Sequence, residues 1–216
     1  MPTSAELYNA GEQAAGRLTP EMLAAAEAKG GIVKVQQTYG LAMDGKAGPA
    51  TQQVLKALVE GRTPIPSGRG GVKAVYGDFA YTEGAGGRIN IDARWANQNI
   101  ISVKLHTGRS VQLHKLVAAE FAELFKQACA ASGYTPESVQ TFVARHTLWD
   151  PTKSLSLHSW GIAVDFDPSK NPMGGKNSLL RTPQGQRFVE VFTKAGWTWG
   201  GVWAMRDDMH FQRAYP

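Results

Sequence analysis

Ser156-Leu157-His158-Ser159-Trp160-Gly161-Ile162-Ala163-Val164-Asp165-Phe166-Asp167 is the stretch on which the reading of this chain turns. Ile162 to Phe166 has the apolar, β-branched character of a strand. Side chains alternate along a strand, so Ala163, Asp165 and Asp167 are expected on one face. The small Ala163 leaves room beside the Asp165 carboxylate for a bulky group or an ion. Gly161 permits a tight turn before the strand. His158 stands seven residues ahead of Asp165, where the chain can fold it back toward that carboxylate.

A second stretch near the end, Arg206-Asp207-Asp208-Met209-His210-Phe211-Gln212, reads as a closing strand from Met209 to Gln212. If it pairs alongside the first, His210 joins His158 and Asp165. Two imidazoles and a carboxylate make a three-ligand zinc site with the fourth position left for water, the pattern of catalytic rather than structural zinc. His106, His114 and His146 lie in contexts that suggest structural or solvent-facing roles.

Around these stretches, strands and helices alternate. Arg88 to Ile91, Ile100 to Leu105, Val139 to Val143 and Trp197 to Trp199 read as further strands. Leu116 to Ala131 is an amphipathic helix with Leu116, Val117, Phe121, Leu124, Phe125 and Ala128 on one side, closed by Gly133. Pro183 to Ala195 is another, with Phe188, Val191 and Phe192 on its apolar face. Strands drawn from separated parts of the chain give an α+β class with a mostly antiparallel sheet and flanking helices.

The first 60 residues read differently. Thr19 and Pro20 open a helix that Gly30 and Gly31 end. A second spans Ile32 to Tyr39, and a third starts at Gly48-Pro49 and carries Val54, Leu55, Leu58 and Val59. Residues 61–72, rich in Gly and Pro, read as a linker. The division is therefore a small helical domain over 1–60, the linker, and a larger domain over 73–216.

Composition narrows the function classes. The 216 residues are 43% hydrophobic and 19% charged, which is globular rather than disordered. No stretch approaches the roughly 20 consecutive apolar residues of a membrane helix. The one cysteine, Cys129, excludes an internal disulfide framework and sits in an apolar run as a small hydrophobe. Net charge is +5 overall. Residues 1–60 carry 5 basic and 6 acidic side chains, and residues 61–216 carry 18 and 12. The positive field thus belongs to the second part, with Arg62, Arg69 and Lys73 clustered in the linker and at its edge, and suits an anionic partner. No interleaved basic and aromatic pattern marks nucleic acid as that partner. The start of the chain has neither a basic nor an apolar signal segment, so synthesis in a cytoplasm is expected.

Two resemblances sharpen this. Val33-Lys34-x-Gln36, and Asp44-Gly45-x-x-Gly48-Pro49-x-Thr51 leading into the third helix, resemble the three-helix peptidoglycan-binding domain over about 40 residues. Ser156, His158, Gly161, Ala163 and Asp165, with Asp207-x-x-His210, resemble the zinc D-Ala-D-Ala carboxypeptidase and L-Ala-D-Glu peptidase family, related in fold to lysostaphin-type peptidases and hedgehog. That second likeness covers roughly residues 75–216.

The resemblance implies one zinc ion on His158, Asp165 and His210, with Asp207 as general base. Asp208 is the competing base. Arg145 is the cation for the oxyanion, or else a surface partner of Asp150. Ser156 would hydrogen-bond near the site or shape a turn. Trp160, Trp199 and Trp203 would line a cleft or join the core. Gly196 to Trp203 is similar to the phage endolysin branch, although Val202 stands where that branch often carries Asp. The implied protein is a monomeric endolysin acting on peptidoglycan after holin-type release. The alternatives are a bacterial D,D-carboxypeptidase and a non-catalytic wall-binding or virion protein.

Overall fold

A computed structural model describes all residues from Met1 to Pro216. The chain divides into two compact units, one of Met1–Asp78 with Ala214–Pro216 and one of Phe79–Arg213. The class is α+β, and every strand pairing is antiparallel.

The first unit is helical. It contains α1 (Ser4–Ala14), α2 (Pro20–Glu27), α3 (Ile32–Tyr39), α4 (Pro49–Val59) and α5 (Gly68–Tyr76). Thr3 and Glu6 form a reciprocal capping box at α1. Thr19 caps α2 through Oγ1, with Pro20 in its first turn. Leu18, Ala26, Val35, Tyr39, Ala47, Val54 and Leu55 make the core, with Val75 packed against it. Buried Gln36 explains the Asp-Gly motif. Its amide nitrogen donates to Asp44 Oδ1 at 2.9 Å and its oxygen accepts from Gly45 N at 2.9 Å. Those bonds fix the turn that leads to α4.

Two expectations change here. Three helices were expected and five form: α1 is weakly amphipathic, and α5 carries three glycines, Gly68, Gly70 and Gly71, that read as linker. The segment read as a linker is half helix: Gly68–Tyr76 folds as α5 because Val72, Val75 and Tyr76 form one apolar stripe. The compact unit accordingly runs to Asp78.

The second unit has β1 (Tyr81–Glu83), β2 (Ile89–Ile91), α6 (Ala93–Asn99), β3 (Ile100–Lys104), β4 (Ser110–His114), α7 (Lys115–Ser132), β5 (Val139–Gln140), β6 (Ala163–Phe166), α8 (Pro183–Lys194), β7 (Thr198–Trp199) and β8 (His210–Gln212). Two hairpins, β1-β2 and β3-β4, accompany a four-stranded sheet in the order β5-β6-β8-β7. Alternation along β6 and β8 separates two environments. Phe166 and Phe211 enter an aromatic core with Phe121, Phe125, Phe188 and Phe192; the Phe166 and Phe188 ring centroids are 4.9 Å apart. Asp165 and His210 take the other face. Cys129 on α7 is a buried free thiol, and burial raises its pKa.

The strand expected over Val139–Val143 stops at Gln140, after which the chain leaves β6. Asp167 lies beyond β6 with φ 43°, so it does not share the face of Ala163 and Asp165. Its carboxylate instead accepts from Tyr134 Oη at 2.6 Å and Ser138 N at 2.6 Å. No helix is long and apolar enough to cross a membrane.

Candidate metal centre and active-site cleft

His158 sits in a 3-10 turn, Leu157–Trp160, whose N-terminus is capped by Ser156 Oγ accepting from His158 N. Gly161 ends the turn at φ 65°, and a Cβ there would lie 2.8 Å from His114 N. The missing side chain lets His114 N donate to Gly161 O at 2.9 Å, seating the turn against the end of β4. The His158 ring is oriented from behind. Nδ1 lies 2.6 Å from Thr141 O, which only accepts, so Nδ1 carries the proton and Nε2 presents a lone pair.

Asp165 and His210 are direct cross-strand partners in the β6–β8 register. Asp165 Oδ1 is 2.9 Å from His210 Nδ1, and its Oδ2 is 3.2 Å from His158 Nε2. His210 Nε2 lies 3.2 Å from Gln212 Oε1, an oxygen acceptor behind the ring. One ligand atom from each of His158, Asp165 and His210 falls within 4.8 Å of the others, and all three residues are buried.

The donor set fits a zinc ion. His158 Nε2 is buried and makes no hydrogen bond of good geometry; with Nδ1 protonated its lone pair faces Asp165 Oδ2 at 3.2 Å, an arrangement that a cation between them relieves. Each imidazole has an oxygen acceptor behind it, the support that metal-bound histidines require. Burial pushes the Asp165 carboxyl up, but His158 and His210 outweigh it and hold the group below the usual range. Asp165 is therefore ionised at neutral pH, as a cation requires. For His210 burial works the other way, yet its bond to Asp165 leaves its pKa raised.

Beside this cluster lies a cleft of about 230 Å³, lined among others by Arg145, Trp149, His158, Asp165 and Asp207. Asp207 sits in the turn before β8, its N bonded to Gly200 O at 3.0 Å. Asp207 Oδ1 is buried and unpartnered. Burial chiefly raises the Asp207 pKa, opposed by His210, with the Asp165 charge adding to the rise. A carboxylate so placed is a stronger base than one in water. Burial lowers the Arg145 pKa, while Asp165 and Asp207 act to raise it.

The remaining expected site residues separate. Asp208 is fully buried and ion-paired to Arg181 at 2.9 Å, so it is a structural anion and not a rival base. Arg181 also donates to Gly201 O, fixing the loop that carries Asp207. Trp160 is buried against Phe79 at 4.8 Å and does not line the cleft. Trp199 is likewise core, its Nε1 donating to Asp208 O. Trp203 stays near the centre, its ring 5.4 Å from His210. Arg145 does not pair with Asp150, whose carboxylate accepts from Thr152.

Sequence reading missed several parts. Ser159 Oγ accepts from Arg145 N at 3.0 Å and donates to Arg145 O at 2.9 Å, tying the arginine's backbone to the His158 turn. Gln212 was legible in principle, two residues beyond His210 on one strand face. Thr141 acts through its carbonyl, which no residue type signals. Leu148 and Trp149 came from a segment with no periodic pattern.

Residues 150–213 match the family model described as D-alanyl-D-alanine carboxypeptidase. That span holds His158, Asp165, Asp207 and His210, and supports a peptidase domain in this part of the chain. No curated protein matches. No solved structure matches either.

Proposed function

We propose that the protein is a zinc-dependent peptidoglycan peptidase, an endolysin that cuts the stem peptide between L-Ala and D-Glu. The observation that carries this reading is the convergence at one cleft of His158 Nε2, whose polar neighbour is the Asp165 carboxylate, with Asp165 itself and the buried, unpartnered Asp207 Oδ1. His158, Asp165 and His210 would hold the ion, which would supply Lewis acidity toward water and the scissile carbonyl. Asp207 accepts the proton of the attacking water and delivers it to the leaving amine nitrogen. Arg145 offers positive charge to the oxygen on which negative charge develops. The first unit, with its Gln36–Asp44 turn, holds the chain on the wall and raises the local concentration of substrate. Synthesis in a host cytoplasm and later release to the wall complete this reading.

The description of the matched family favours a second reading, release of terminal D-alanine from the same stem. Digestion of defined muropeptides by the zinc-loaded protein, with and without chelator, separates them by mass spectrometry. Cleavage after L-Ala supports the first reading and loss of one D-Ala the second. No product, or products indifferent to chelator, would reject both.

A further inference from the structure

Two neighbouring residues on the rim of the cleft stand in costly conformations. Leu148 and Trp149 have φ 57° and 60°, a region bulky side chains avoid, yet they remain 45% and 43% exposed. Backbone strain of this kind persists only where the surroundings impose it. Here the surroundings are the β1–β2 hairpin. Gly87 has no Cβ, which would otherwise lie 2.1 Å from Trp149 O. His146 N donates to Gly87 O at 2.8 Å, and Arg88 bridges Arg145 along the backbone.

The strained loop presents the Trp149 indole to two guanidiniums. Arg88 Cζ lies 4.9 Å and Arg145 Cζ 5.0 Å from the centre of the ring. Arg88 is exposed and has no carboxylate within ion-pair distance. The nearby acids are engaged elsewhere: Glu83 with His146 at 3.1 Å, and Asp150 with Thr152. Stacking on an indole restrains a long side chain in advance, and the guanidinium fork matches a carboxylate. Trp149 and Arg145 line the cleft itself, so Arg88 stands one side chain outward from it.

We infer that Arg88, braced on Trp149, is a substrate-binding residue that selects a peptide bearing a free carboxylate beside the scissile bond. This rests on the proposed peptidase reading and names the charge of its substrate. The stem peptide meets the requirement through the α-carboxylate of its γ-linked D-Glu, which is neutral when amidated.

The probe is a synthetic stem tetrapeptide, L-Ala-γ-D-Glu-diaminopimelate-D-Ala, with that carboxylate free or amidated. Zinc-loaded full-length protein is expected to show a kcat/KM about tenfold higher for the free acid, declining as salt rises. Arg88→Gln should remove most of that preference and Arg88→Lys should keep part of it. Equal kcat/KM for the two wild-type substrates, or a preference that survives Arg88→Gln, would overturn the inference. Calorimetric binding of both peptides to the same proteins separates the two layers of argument. Arg88-dependent binding of the free acid without cleavage sinks the peptidase reading and keeps the carboxylate site. Cleavage without charge preference does the reverse, and neither binding nor cleavage rejects both.

Discussion

Asp207 and Gln212 stand on either side of His210 and perform different tasks. Asp207 lines the cleft and has a buried, unpartnered oxygen, so Asp207→Asn is expected to retain zinc and lose on the order of 10²–10⁴ in kcat. Metal analysis beside a muropeptide assay checks this, and full turnover in the variant would remove Asp207 from the reaction. Gln212 reaches the far nitrogen of the His210 ring. Gln212→Leu should therefore weaken zinc affinity by about 10–100-fold, read by competition with a chromophoric chelator. An unchanged affinity would mean that the β8 backbone alone orients the ring. The two aspartates at 207 and 208 show the limit of reading by spacing. Spacing put Asp207 ahead of Asp208 as the base, and the burial of Asp208 with its Arg181 ion pair separates the two on physical grounds.

At the scale of elements, the legible parts were those with strong periodicity or a motif. The helices α7 and α8 matched their patterns because each buries a stripe of large apolar side chains, Leu116 excepted, and the strands β6 and β8 were located by the motifs they carry. The edge strand β5 was overextended because Phe142 and Val143 are apolar without being paired to β6. Loop residues 148 and 149 were illegible, since their conformation is imposed by a hairpin some 60 residues away in sequence. Gly161 shows how a turn can matter more than a strand. Gly161→Ala would introduce both a disfavoured φ and a Cβ 2.8 Å from His114 N. A loss of about 1–3 kcal/mol in urea unfolding is expected, together with weaker metal binding as the His158 turn shifts. Ordinary stability and affinity in that variant would show that the turn has slack.

For the whole molecule, the two units make separate predictions. In the helical unit, Glu12 is bonded to Arg17 at 2.7 Å and to Gln52 at 2.7 Å. The hydrogen bond from Arg17 and then that from Gln52 lower its pKa from 4.5 to about 2. The native state binds fewer protons than the unfolded chain, so this stabilisation is complete above pH 4.5 and is lost as pH falls toward 2. Thermal unfolding of this unit should fall over that window, and Glu12→Gln should flatten the fall. A chain reduced to Phe79–Arg213 should still cut soluble muropeptides yet act more weakly on intact sacculi; equal action on both would remove the wall-holding role from the helices. The lone thiol on α7 has a practical corollary. Cys129 is shielded and hard to ionise in the folded chain, so it resists alkylation and cannot cross-link molecules in oxidising surroundings. Any labelling by a maleimide under mild conditions would time the spontaneous opening of the aromatic interior.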